Sequence, residues 1–191
     1  MPDAYTNCPV MENERFLLRL VSHTDTADLL RVYSDERAVP FFNSDNCHGD
    51  DFPYTSTDRM RRAIALWLED YEKRHCIRWT ITDKAAGEGI GTMGYFIRTS
   101  DDYFTDCGIL RLDLRSDWER AVKIRAILDV VIEPLFDLFP CRMMATKAIP
   151  EAAERIYALE KAKFRLSPHK LRGHGMKEYG SYYILKRPKK E

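Results

Sequence analysis

The stretch Ser116-Asp117-Trp118-Glu119-Arg120-Ala121-Val122-Lys123-Ile124-Arg125-Ala126-Ile127-Leu128, SDWERAVKIRAIL, follows an extended run, YFTDCGILRLDL (103–114), and opens a long segment with apolar residues at helical spacing. How this junction is read decides the fold. A strand that feeds a helix start makes a ready anion site, because the first helical amides lack intrahelical partners and the dipole favours negative charge there. Such sites usually contain glycine, which lets the backbone approach a phosphate. This junction contains none, and no glycine occurs from Ile109 to Arg172.

Outward from the junction the order is legible. The spacing predicts a helix over about 118–138, with Val122, Ile127, Leu128, Val131, Leu135 and Leu138 as its apolar stripe and a kink at Pro134. CRMMATKA (141–148) reads as a buried strand, and Pro150 fits the first turn of a further helix with Ala153, Ile156, Ala158 and Leu159 inward. SYYILKR (181–187) reads as a last strand. Upstream, RFLLRLV (15–21) reads as a strand, and Asp25 as the cap of a helix carrying Ala27, Leu29, Leu30 and Val32. Residues 36–54, with Pro, Asn, Gly and Asp, read as an irregular loop. Ser56 or Thr57 caps a helix with Met60, Ile64, Trp67, Leu68 and Tyr71 on one side. IRWTITD (77–83) and IGTMGYFIR (90–98), joined by KAAGEG, form a predicted antiparallel hairpin. The result is a mixed α/β chain with an antiparallel first half and a crossover in the second.

The 191 residues and 45% apolar content suit one domain, 1–191, with a real core. Lys and Arg number 30, against 30 Asp and Glu. This balance argues against nucleic acid or a membrane surface as partner. The basic end LKRPKKE reads as a solvated tail. No window of about 18 apolar residues exists to span a bilayer, and the first residues lack the pattern of a signal peptide. The five cysteines are widely spaced without C-x-x-C, and Cys47-His48 is a lone pair on a polar loop. No metal site is expected, and the reducing cytoplasm is the expected compartment.

Four strings together resemble one family. RFLLRLVSHTDTADLLRVYSDERAVPFF resembles an opening "R-L-x-L-R-x-x-x-x-x-D" and its helix. WTITDKAAGEGIGTMGYF resembles "W-a-I-x-d-k-x-t-G-e-x-I-G-x-i-g", IPEAAERIYALEKAKFRL resembles "d-P-x-N-x-x-S-x-r-v-l-E-K-l-G-F", and YGSYYIL resembles a closing strand. These belong to the GNAT acyl-CoA N-acyltransferase superfamily, in the branch of ribosomal-protein N-terminal acetyltransferases. The resemblance implies a central, largely antiparallel sheet splayed between its fourth and fifth strands and flanked by helices. It implies acetyl-CoA as co-substrate, with its pantetheine arm paired to the splayed strand, residues 108–114, and its pyrophosphate wrapped near residues 118–123. The cofactor-binding residues so implied are Leu112, Asp113, Leu114, Arg120, Ala121, Val122, Lys123 and Arg125. The branch's "E-x-G" is matched by Asp106-Cys107-Gly108, which makes Asp106 the candidate catalytic base. The match departs from the family at the loop glycines. The family's Asn falls near Ala152, its Ser near Arg155, its Gly at Lys163, and the tyrosine of some members near Leu159.

The chemistry stays open at three points. Ala121 and Val122 can donate N–H groups without glycine, and Arg120, Lys123 and Arg125 either bind phosphate or solvate a helix face. Asp106 is either the base or a strand-end carboxylate. Asp45, Asp50 and Asp51, with Phe41, Phe42, Phe52 and Tyr54, either receive a cationic amine or anchor their loop. The leading function is N-acetyl transfer to a primary amine on a small molecule or peptide. The alternative is a non-catalytic module of the same fold, and a third reading is a different acyl donor or a shifted coenzyme pose.

Overall fold

A computed structural model describes residues 3–45 and 52–188. Cys47, His48, Asp50, Asp51 and the last three residues of the tail lie outside the described residues. In chain order the elements are β1 (Met11–Glu12), β2 (Phe16–Leu20), α1 (Thr26–Tyr33), α2 (Thr57–Glu72), β3 (Ile77–Asp83), β4 (Glu88–Arg98) and β5 (Cys107–Leu114). There follow α3 (Ala121–Leu138), β6 (Met143–Lys147), α4 (Ala153–Lys161), β7 (Arg165–Leu166), β8 (Leu171–Arg172), β9 (Glu178–Tyr179) and β10 (Tyr182–Lys186). The main sheet runs β1-β2-β3-β4-β5-β6-β10-β7, and β8 with β9 forms a small second sheet. Every neighbouring pair is antiparallel except β5 and β6, which are parallel and joined through α3. These two are the fourth and fifth strands of the sequence reading, displaced in number by the short β1.

The alternation of each strand assigns its faces. Trp79, Met93, Leu112 and Leu114 pack with Ile124, Leu128 and Leu159 under α3 and α4. Leu29, Val32, Tyr33, Met60 and Ile64 form a second cluster beneath α1 and α2. Ser56 caps α2, its hydroxyl accepting from the Arg59 N–H. No helix among the described residues is long and apolar enough to cross a membrane.

Several local expectations are corrected. The side-chain cap near α1 is Ser22, in a capping box with Asp25. Asp25 itself makes no cap to α1, because its buried carboxylate accepts from the Ser22 N–H, Arg19 and the Thr80 hydroxyl. Ala27 faces solvent. Residues 103–106 are a turn, so β5 starts at Cys107, after Asp106 with φ 49°. Helix α3 starts at Ala121, because Ser116–Trp118 forms a 3-10 turn. It continues through Pro134. Val122 is 79% exposed, and Ile124 takes the inward place. Two residues turn a helix by about 200°, so both cannot face the core. Pro150 lies in a turn ahead of α4, and Ala153 is exposed.

Gly108 is required by close packing. A Cβ there would stand 1.8 Å from the Tyr95 hydroxyl oxygen, which also contacts Cys141 Sγ at 3.4 Å. Tyr95 is fully buried, with no free direction to yield. Gly108→Ala is expected to destabilise the protein by about 1–3 kcal/mol, read from the urea midpoint. An unchanged midpoint would show that Tyr95 can move aside.

Candidate active site

Strand β5 pairs with β4 along its whole length, to Leu114 opposite Gly91. With β6 it pairs only from Cys107 opposite Met143 to Leu110 opposite Thr146. Past Leu110, residues Arg111–Leu114 have no partner on β6, so a wedge opens between the strands. The end of β6 stays paired with β10 instead, where Lys147 pairs with Tyr182 and the Ala148 N–H donates to the Ser181 carbonyl. The splay expected between these strands is therefore present, and α3 begins just past its open end.

The chain's own side chains engage the wedge. Arg155, on α4, is 2% exposed. Its Nη1 donates to the Leu112 carbonyl at 2.8 Å and to the Phe41 carbonyl at 3.1 Å. Its Nε donates to Glu119 Oε2 at 3.3 Å, and its Nη2 to Glu119 Oε1. Glu119 is itself buried at 9% exposure. The neighbouring Glu154 accepts the Ala121 N–H at 2.6 Å and lies 3.7 Å from Arg120. A carboxylate from α4 thus serves the first amide of α3, whose own cap position, Arg120, makes no side-chain cap.

The other expected phosphate ligands are also engaged internally. Lys123 donates to the Asp117 carbonyl at 2.9 Å and lies over the Trp118 ring. Arg125 pairs with Asp129 and donates to the Lys161 carbonyl. Leu114 is buried in the core and Val122 is exposed. Leu112, Asp113, Leu114, Arg120 and Ala121 are thus gathered around the wedge and the helix start, whereas Arg125 faces the end of α4.

On the α1–α2 side of the sheet lies a cavity of about 1080 Å³, whose lining includes Tyr33, Trp67, Phe96, Arg111 and Asp113. Asp113 Oδ2 accepts from the Tyr33 hydroxyl at 2.7 Å and from Arg78 Nη1 at 3.0 Å. Its Oδ1 is buried and has no hydrogen-bond partner among the described residues. Burial, and then the Asp113 charge, push the Tyr33 phenol well above its usual pKa, so it remains a donor. Asp45 accepts from Lys147 at 2.6 Å and Tyr182 at 3.1 Å, and its carbonyl takes Arg111 at 2.7 Å. Phe42 and Tyr54 pack on Tyr33. These loop residues anchor their segment to the sheet.

Asp106 is placed apart from this arrangement. It is exposed, in the turn at the paired end of β5. Six strand steps, roughly 20 Å, separate Cys107 from Asp113. The sequence reading missed Tyr33, Arg78, Glu119 and Arg155. One signal was available for Arg155, which falls on the buried stripe Ala152, Arg155, Ala158, Leu159, Ala162 of its helix.

Comparison with known proteins places this geometry. The acetyltransferase (GNAT) domain matches residues 15–165. No curated protein matches significantly. The fold is similar to the ribosomal-protein-S5-alanine acetyltransferase of Vibrio fischeri, with a TM-score of 0.70 at 14% identity over 93% of this chain and 96% of that one. It is also similar to Mycobacterium smegmatis RimJ in complex with CoA-disulfide, with a TM-score of 0.69 at 13% identity over 93% and 86%. A Salmonella typhimurium acetyltransferase that modifies the N-terminal serine of ribosomal protein L7/L12 gives 0.68 at 10% identity over 94% and 100%.

The Glu119–Arg155 pair yields a stability test. Arg155→Ala leaves a buried carboxylate alone and is expected to cost about 3–5 kcal/mol. Adding Glu119→Gln removes that charge and is expected to restore part of the loss in urea unfolding. Equal midpoints for single and double variants would mean that Glu119 is solvated in solution.

Proposed function

We propose, for a chain that belongs to the acetyltransferase (GNAT) family, that it moves an acetyl group from acetyl-CoA to a primary amine of a small molecule or a peptide N-terminus. The observation that carries this reading is the one-sided splay, in which β5 keeps β4 and loses β6 at Leu110. A strand edge left this way offers backbone groups to an amide-bearing arm. The α3 start, with Arg120 and Lys123 beside it, offers donors to a diphosphate. The cavity on the opposite face shares Arg111 and Asp113 with the splayed strand and suits the acceptor. Its volume accommodates a small amine or the first residues of a peptide. The free thiols of Cys8, Cys76, Cys107 and Cys141 accord with a reducing cytoplasm.

In this reaction the amine nitrogen attacks the thioester carbonyl. A C–N bond forms, the C–S bond breaks, and coenzyme A leaves as thiolate. The attacking nitrogen sheds a proton, for which a base is needed. Asp113 is better placed than Asp106, because it lines the cavity and its Oδ1 has no partner among the described residues. Arg78 and Tyr33 hold the other oxygen and fix the carboxylate's orientation.

The occupied wedge favours a second reading, a binding module without turnover. Two measurements separate the readings. Release of free thiol from acetyl-CoA in the presence of a panel of primary amines and peptide N-termini supports transfer. No rise in melting temperature with millimolar acetyl-CoA, where mass action requires one for a ligand of the folded state, supports the module. Asp113→Asn is expected to lower turnover by at least about tenfold, in the range of base removal, with acetyl-CoA affinity held within about twofold. Asp106→Asn is expected to stay near wild type, and the reverse order would return the base to Asp106.

A further inference from the structure

Two consecutive residues of one helical turn stand where two different parts of a coenzyme belong. Glu154 places a carboxylate oxygen 2.6 Å from the Ala121 N–H and lies beside Arg120. An oxyanion at the start of α3 is what a diphosphate would supply. Arg155 places an N–H donor 2.8 Å from the Leu112 carbonyl, past the last β5–β6 pair. A donor to that carbonyl is what an amide-bearing arm would supply. Both substitutes come from the first turn of α4, which follows a non-helical turn at 149–152 containing Pro150.

We propose that this turn is a latch. Glu154 and Arg155 hold the coenzyme cleft closed, and acetyl-CoA enters by displacing them. The inference rests on the acetyl-CoA reading above. The closed form satisfies its own polar groups. All three guanidinium nitrogens of Arg155 have acceptors, and Glu119 takes two of those bonds. The side chains of the pair are only 3% and 7% exposed, whereas that of Glu154 is 49% exposed. Entry of coenzyme must break an inner ion pair and an outer carboxylate–amide bond. The apparent affinity falls by the fraction of molecules that are open. Removing either contact raises that fraction. The missing loop glycines belong to the same device, because Glu119 stands in that loop and supplies Arg155 with its counterion.

The test is calorimetric titration of acetyl-CoA into the full chain, into Glu154→Ala, and into the double variant Glu119→Gln with Arg155→Ala. Amide hydrogen exchange of residues 152–158 is followed in the wild type with and without acetyl-CoA. The latch predicts that each variant binds at least about tenfold more tightly than wild type. It also predicts that 152–158 lose protection when acetyl-CoA binds the wild type. Equal affinities with unchanged protection leave acetyl-CoA binding intact and overturn the latch. Weaker binding by the variants also overturns it, making Glu154 and Arg155 ligands of the coenzyme. No binding by any of the three at millimolar acetyl-CoA overturns the acetyl-CoA reading itself. Should the double variant fail to fold, the exposed Glu154→Ala and the exchange measurement decide alone.

Discussion

The guanidinium of Arg155 is the point at which four separate segments are tied. It binds the Leu112 carbonyl on β5, the Phe41 carbonyl in the loop after α1, and the Glu119 carboxylate before α3, while its own backbone belongs to α4. Burying such a charge is unfavourable unless every donor finds an acceptor. Here every guanidinium nitrogen does. Removing the side chain would leave two carbonyls and a carboxylate without this donor in a nearly dry cleft. The wedge must therefore hold something polar, whether a side chain or a ligand.

The need arises from topology. In an antiparallel sheet each strand edge is served by its neighbour, but the α3 crossover makes β5 and β6 parallel and lets them diverge after Leu110. Backbone groups past that point still require partners. A glycine-rich loop at the helix start would meet an anion with backbone alone. This chain has Trp118, Glu119 and Arg120 there, and Glu119 turns inward to hold Arg155. The absence of glycine in the loop and the arginine on α4 are thus two parts of one arrangement. Either alone would leave a buried charge or an unserved carbonyl.

What the sequence disclosed follows from the range of each interaction. Strands β3, β4, β6 and β10 and helices α2 and α3 were legible because periodicity is local, and so was the parallel pair at the splay, through the strand–helix–strand order. Val122 is apolar and so reads as part of the inward stripe, but it lies about 200° round the helix from Ile124, which takes the core. Asp25 looked like a cap, but Arg19 and Thr80, across β2 and β3, claim its carboxylate. The wedge was legible and its occupant was not. Glu119 and Arg155 are 36 residues apart, and only the packing of α4 against the β5 edge brings them together. The sequence shows Gly108 as part of a motif, whereas its reason, the Tyr95 hydroxyl, lies on the neighbouring strand.

The opposite face of the same strand sets the demand on any acceptor. In LRLDL (110–114) the leucines turn to the α3 core, and Arg111 and Asp113 turn toward α2. A sheet face covered by a helix is ordinarily apolar, yet here it carries Arg78, Thr92, Arg111 and Asp113 beneath Tyr33 and Trp67. Such a network is unfavourable where any member lacks a partner. Tyr33 and Arg78 donate to one oxygen of Asp113, with Thr92 bonded to both of them, and the second oxygen has no partner among the described residues. In the proposed transfer, an amine that donated a hydrogen to that oxygen would be fixed on the splayed strand, one residue from the carbonyl held by Arg155. The same proposed transfer would couple the two faces of β5 through a single peptide unit, with Asp113 toward the acceptor and the Leu112 carbonyl toward the acyl donor.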